Sequence, residues 1–204
     1  MGSKLRNEDE RCSNIVSNFL DEHFYLKKCT NFQRIEDKNN QIKGIDTIFE
    51  LNGNQYICDE KAAIRYVNKP LKTFSMELSF IDRSGCSHDG WLLDENKIND
   101  SFLFVWIDKA KNDILNSIDD IQEIEIALVL KKDILLFLEK LGWNIDKLIR
   151  KSELMQDDEN ENCGDLYKNG CIFVCSRFLY EKPVNVLISR KDLIKLSIFN
   201  EKII

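Results

Sequence analysis

Proline is nearly missing from this chain: there are two in 204 residues, with only eight glycines. That excludes collagen-like, proline-rich and low-complexity classes, which are built on those two residues. Long apolar runs are missing as well. None approaches the roughly 18 residues that a membrane-crossing helix needs, and the N-terminal stretch lacks the signal-peptide pattern. The expectation is a cytoplasmic protein with no membrane partner. Histidine is limited to His23 and His88, and neither sits in a nucleophile motif, so a Ser-His-Asp hydrolase has no support. Walker A and GxGxxG patterns are absent, which removes nucleotide-driven and dinucleotide chemistry. There is no basic surplus either. With a net charge of −6, any attraction to nucleic acid must come from a local patch.

What is present describes an ordered globule. Hydrophobic residues make up 43% and charged residues 31%, enough for one substantial core with elaborations. The seven cysteines stand at positions 12, 29, 58, 86, 163, 171 and 175. An odd number without framework spacing reads as reduced thiols. Zinc on Cys163, Cys171 and Cys175 is the weaker reading, because Cys171, Phe173 and Cys175 alternate as on a strand and CxxxC is not the usual CxxC knuckle.

Ile15, Val16, Phe19, Leu20 and Leu26 recur at helical spacing, which predicts a helix over 8–27. At 100° per residue Glu22 lies near that apolar line and Asp21 points away. Residues 73–80 alternate as a half-buried strand, with Phe74, Met76, Leu78 and Phe80 inward and Glu77 on the other face. Residues 101–108 read as a buried strand, and 121–130 fit helix or strand. Helices are expected near 133–141, 145–155 and 190–197, with Gly142 and Asn144 as caps. Strands are expected near 171–177 and 183–188. The stretch from Asp157 to Asp165 is an acidic loop. This gives one α/β domain, with a core over about 8–110 and a C-terminal α/β elaboration over about 120–204.

The most informative segment is GIDTIFELNGNQYICDEKAA, residues 44–63. Asn52-Gly53 between two runs of β-formers predicts a two-residue type I′ hairpin. That register pairs Leu51 with Asn54 and, counting outward, Thr47 with Cys58 and Asp46 with Asp59. Opposed residues share a face with Cβ atoms roughly 4.5–5.5 Å apart, and Lys61 shares the face of Asp59 by the period of two. Two carboxylates so placed repel unless neutralised. Lys61 does part of this, and a divalent cation with oxygen ligands would do the rest.

Asp46, then Asp59-Glu60-Lys61 on a hairpin, after a helix carrying Glu22, resembles the restriction-endonuclease-like PD-(D/E)xK nuclease superfamily. The resemblance spans roughly residues 15–80. It departs from the pattern at Ile45, where a proline often precedes the first acid, and in having Asp rather than Glu as the second acid. It implies a restriction-endonuclease-like core, a central mixed β-sheet flanked by helices. It also implies Mg²⁺ or Mn²⁺ held by Asp46, Asp59, Glu22 and the Glu60 position, and catalysis by Asp46, Asp59, Lys61 and Glu22. Glu77 is the fallback third acid. The implied activity is metal-dependent phosphodiester hydrolysis, on DNA ahead of RNA, in a defence or mobile-element setting by analogy. Many members pair as homodimers. Lys61, Arg65, Lys69, Lys72, Arg83 and Trp91 are the candidate nucleic-acid contacts. Two readings compete with it: a non-catalytic nucleic-acid- or protein-binding module on the same fold, and an interaction protein using the acidic stretch.

Overall fold

The computed structural model describes residues 2–157 and 172–204. The acidic stretch beyond Asp157, and with it Cys163 and Cys171 of the zinc reading, lies outside the described residues. The chain forms two compact α/β units interleaved in sequence. The first takes the chain up to Leu71, then Ile98–Leu130 and Ser197–Ile204; the second takes Lys72–Lys97 and the chain from Lys131 to Leu196. The sequence reading cut the chain once, near residues 110–120, so it missed that strands on both sides of that point share one sheet.

The first unit opens with helix α1 (Gly2–Leu20), which runs through a π-helical turn (Asp21–Tyr25) into a short α2 (Leu26–Lys28). Strand β1 (Thr30–Arg34), helix α3 (Lys38–Ile42), and strands β2 (Thr47–Leu51) and β3 (Asn54–Ala62) follow. After the excursion into the second unit come β6 (Ser101–Ala110) and β7 (Ile121–Leu130), and after a second excursion β10 (Phe199–Ile203). The sheet order is β1-β2-β3-β6-β7-β10. All neighbours are antiparallel except β3 and β6, which are parallel. This is the mixed sheet flanked by helices that the sequence implied. Parallel neighbours need a long crossover, and here the crossover contains β4 and β5 of the second unit.

The hairpin register is as predicted, from Leu51↔Asn54 to Thr47↔Cys58. Asn52 and Gly53 both have positive φ, +53° and +78°, the combination a type I′ turn requires. One face of the sheet packs under α1. Cys12, Val16, Phe19, Leu20, Phe24 and Tyr25 meet Phe49, Leu51 and Cys58 of the hairpin and Leu103, Val105 and Ile107 of β6 in one buried cluster. Residues 121–130, ambiguous in sequence, are strand, because they pair with both β6 and β10.

The second unit holds β4 (Thr73–Ile81), β5 (Ser87–Asp89), β8 (Ile172–Cys175) and β9 (Val184–Ser189) in the order β5-β4-β9-β8. Its helices are α4 (Lys131–Lys140), α5 (Ile145–Asp157) and α6 (Arg190–Leu196). The predicted caps are present. Gly142 has φ +92°, Trp143 N–H bonds back to the Leu138 carbonyl at 2.9 Å, and the Asn144 side chain accepts from Lys147 N–H at 3.1 Å. Met76 and Leu78 are buried in β4, with Phe74 and Phe80 half-buried.

Gly90 is held by backbone rather than by conformation. A Cβ there would lie 2.5 Å from the carbonyl carbon and oxygen of Glu77, and the Gly90 N–H donates to Leu78 at 2.7 Å. Gly90→Ala must push two backbone segments apart. We expect a loss of roughly 1–3 kcal/mol, read by urea denaturation; an unchanged midpoint would show that the segment yields freely.

Candidate functional site

The strands of the hairpin part company one pair earlier than the sequence register implied. Gly44, with φ +77°, turns the chain out of α3, and the regular ladder ends at Thr47↔Cys58. Asp46 replaces the next rung with its own groups. Its N–H donates to the Cys58 carbonyl at 3.0 Å, its carbonyl accepts from Ile35 N–H at 2.8 Å, and its carboxylate Oδ2 accepts from Glu60 N–H at 2.8 Å. The Asp46 side chain is thus fixed in the fork between β2 and β3. Beyond the fork β3 continues beside β6, with Asp59 opposite Phe102 and Lys61 opposite Phe104.

Asp59 and Lys61 share a face, as period-two alternation requires. Asp59 is buried, and Lys61 Nζ lies 2.7 Å from its Oδ1. The Asp46 carboxyl is pushed up to about 7, first by burial and next by the negative charge of Asp59; the Glu60 N–H and Lys61 pull the other way without prevailing. Near the fork two carboxylates thus feel each other, and one ammonium pairs with Asp59.

Glu60 faces the opposite side, under α1. Its two oxygens accept from Tyr25 Oη at 2.8 Å and Ser17 Oγ at 3.0 Å. Arg34 approaches the same oxygens with Nη1 and Nη2, each at 3.0 Å, and holds both oxygens of Asp21 with Nε at 2.9 Å. Tyr25 Oη is also 3.2 Å from Thr47 Oγ1, and its ring stacks on Phe32. Burial, then the charge of Glu60, lifts the Tyr25 phenol well above its ordinary value. Burial alone would lower the Arg34 pKa, but Asp21 and Glu60 outweigh it and raise it. The Glu60 carboxylate is therefore fully engaged with a guanidinium and two hydroxyls, so a metal-ligand role for that side chain has no free lone pairs to rest on.

Glu22 is not at the site. Its side chain is 61% exposed and its nearest ionic neighbour is His23 at 4.0 Å. The apolar line drawn through Ile15, Phe19 and Leu26 was not the buried face: Cys12, Val16, Phe19 and Leu20 are buried, while Leu26 is 69% exposed. Glu22 therefore lies off the core side, and Asp21 pairs with Arg34, reversing the sequence expectation for both. Glu77, the fallback acid, belongs to β4 of the second unit. Among the described residues no three His, Cys, Asp or Glu side chains converge as a metal group would.

Compared with known proteins, the chain matches no family model, no curated protein and no solved structure. The expected basic strip does not form one cluster: Lys61 pairs with Asp59, Arg65 with Asp9, and Lys69 lies over the Tyr66 ring. Lys72, Arg83 and Trp91 belong to the second unit. No helix among the described residues is long and apolar enough to cross a membrane.

Sequence reasoning missed Ser17, Asp21, Tyr25 and Arg34. A weak signal existed for Arg34, a lone cation in the polar segment between the first helix and the hairpin. Tyr25 carried a stronger one, since a hydroxyl on the buried side of a helix must find a partner.

Proposed function

We propose that this chain is a divalent-metal-dependent nuclease, hydrolysing phosphodiester bonds of DNA ahead of RNA, with Asp46 and Asp59 as metal ligands and Lys61 as the charged catalytic group. The observation that carries this reading is the Asp46 carboxyl, fixed in the fork and pushed up to about 7 beside buried Asp59. A carboxyl raised first by burial and next by a neighbouring carboxylate is a group that a cation beside it would return to its charged form. The donor set fits Mg²⁺ or Mn²⁺, since Mg²⁺ is commonly held through one or two carboxylates and keeps several waters. Glu22 and the Glu60 side chain have no part in it. Arg34 offsets Glu60 and Asp21 with one charge, and Lys61 offsets Asp59.

When bound, such an ion supplies a water of lowered pKa and neutralises a phosphoryl oxygen. The chain's own groups do the rest. Asp46 is prevented from rotating by the Glu60 N–H. Lys61, held on the face of Asp59, places an ammonium where charge develops on the phosphorus oxygens. The Arg34–Glu60–Tyr25 network anchors β3 to α1 and so fixes the Glu60 N–H on which Asp46 depends.

The second reading, a non-catalytic nucleic-acid-binding module, is favoured by the lack of a third converging acid among the described residues. Calorimetric Mn²⁺ titration beside a plasmid-nicking assay separates the two. The parent chain should bind Mn²⁺ and nick; Asp59→Ala should lose both. Lys61→Ala should keep or tighten Mn²⁺ binding through Coulomb relief, while cleavage falls on the order of a hundredfold. Equal cleavage by Lys61→Ala would remove its catalytic role, and a parent chain that binds no metal and nicks nothing leaves only the binding-module reading.

A further inference from the structure

Helix α4 buries Ile134 and Leu138 completely, while Lys132, Leu135, Leu136 and Glu139 recur at i, i+3, i+4 and i+7 and so share one stripe. With Ile145 and Asp146 at the start of α5, that stripe lines a groove of about 470 Å³. These residues all belong to the second unit. Two of them leave apolar surface in water, Leu136 at 49% exposure and Ile145 at 48%. We propose that this groove is a homodimer interface, covered by α4 of a second copy of the chain running antiparallel across a two-fold axis.

The order of the charges selects the occupant. Lys132 and Glu139 are both exposed, and the Leu135-Leu136 pair lies midway between them. At the rise of an α-helix each charge stands about 5 Å along the axis from the centre of the stripe. A two-fold interface joins the same patch on both subunits, so the patch must complement itself. An axis between Leu135 and Leu136 does this. It sets Leu135 opposite Leu136 of the second copy and Lys132 opposite Glu139 of the second copy, and symmetry makes each contact twice. Asp146 lines the same groove, so the incoming lysine meets two acids. Parallel pairing would instead oppose Lys132 to Lys132 and Glu139 to Glu139.

Other occupants fit the same residues less well. A nucleic acid or an anionic membrane would face two acids against one lysine, which repels a polyanion. An unrelated apolar helix would strand both charges beneath it. A contact built on one helix pair falls at the low end of the roughly 1,200–2,000 Å² that stable interfaces bury. The dimer is therefore reversible, with a Kd on the order of 10–100 µM. Nothing in this depends on the nuclease reading, whose Asp46, Asp59 and Lys61 belong to the first unit.

Sedimentation velocity of the whole chain from roughly 5 to 500 µM brackets that affinity and tests the interface. The parent is compared with Lys132→Glu, Glu139→Lys, the exchange Lys132→Glu/Glu139→Lys, and Leu136→Asp. All three positions are exposed, and circular dichroism is the folding control. The parent should pass from monomer to dimer within the range. Each single charge variant turns both symmetric attractions into repulsions and should weaken self-association about tenfold or more. The exchange variant restores opposite charges and should return to within about threefold of the parent. An equimolar mixture of the two single charge variants is complementary again and should form a mixed dimer about as tight as that of the parent. Leu136→Asp places an acid on each side of the axis and should leave only monomer. A parent that stays monomeric throughout the range overturns the proposal. A dimer that both single charge variants leave intact lies on another face and overturns it too, as does an exchange variant no tighter than the singles.

Discussion

In chelator at pH 8, Asp46→Asn should melt roughly 5–10 °C above the parent chain. The Asp46 carboxyl stands at about 7 in the folded chain and at about 4 when unfolded. Between those values the folded chain keeps a proton that the unfolded chain has released, so stability falls as pH rises from about 4 to about 7 and stays low above it. At about 1.4 kcal/mol for each pH unit in that window, the ceiling is about 4 kcal/mol; for a chain of this length each kcal/mol moves the melting temperature by about 2–4 °C. Asparagine keeps an oxygen for the Glu60 N–H and carries no charge, so it removes the penalty without removing the contact. At pH 5, one unit into that window, the gap should shrink to about a third of its value at pH 8. Adding Mn²⁺ at pH 8 should raise the parent and leave the variant nearly unmoved. Thermal melts at pH 5, 6.5 and 8, with chelator or Mn²⁺, provide the check. A variant that melts lower at pH 8 would mean that the carboxylate is stabilised by its surroundings, and the argument for a cation there would go with it.

Arg34→Leu should act in the opposite direction and cost about 2–4 kcal/mol. Among the described residues Arg34 is the cation paired with Glu60, which is only 8% exposed, and with Asp21. Removing one partner of a buried ion pair leaves an uncompensated charge at about 3–5 kcal/mol; Arg34 and Asp21 are each about one-fifth exposed, so solvent takes part of that. The companion variant Arg34→Leu/Glu60→Gln neutralises the stranded acid while keeping oxygen and nitrogen beside Ser17 and Tyr25. It should recover more than half of the loss, a coupling that two independent sites would not show. Urea denaturation of the single and double variants measures it. Additive losses would show that Glu60 is solvated well enough without its guanidinium.

Where one local signal decides the outcome, the structure agrees with the residues. Asn52-Gly53 set the hairpin register down to Thr47↔Cys58, and Gly142 and Asn144 stop and start their helices as expected. The pairing of Lys61 with Asp59 follows from alternation alone. Failures occur where a distant partner or a local irregularity decides. Phe199–Ile203 is five residues with no turn signal of its own, and it is a strand only because β7 lies open beside it. Interleaved units are a matter of long-range pairing that composition does not carry. Glu22 was misplaced because the apolar line was drawn through Leu26, which is exposed, and the Asp46↔Asp59 rung was replaced by a side chain that caps the fork. The Arg34 network was hidden because its five members, Ser17, Asp21, Tyr25, Arg34 and Glu60, come from α1, the π turn, β1 and β3, a convergence that exists only after folding.

The interleaving also sets an order of events during synthesis. Strand β7 is complete once Leu130 has left the ribosome, yet its outer neighbour, Phe199–Ile203, is made only after all of α4, α5, β8, β9 and α6. For that interval the long apolar strand IQEIEIALVL has one open edge, the kind of surface that pairs with other nascent chains. The second unit is likewise split, since β4 must wait for β9 before its sheet can form. Neither sheet can close in the first two-thirds of translation, so the yield of folded chain will depend on how long both unfinished edges are kept from foreign partners.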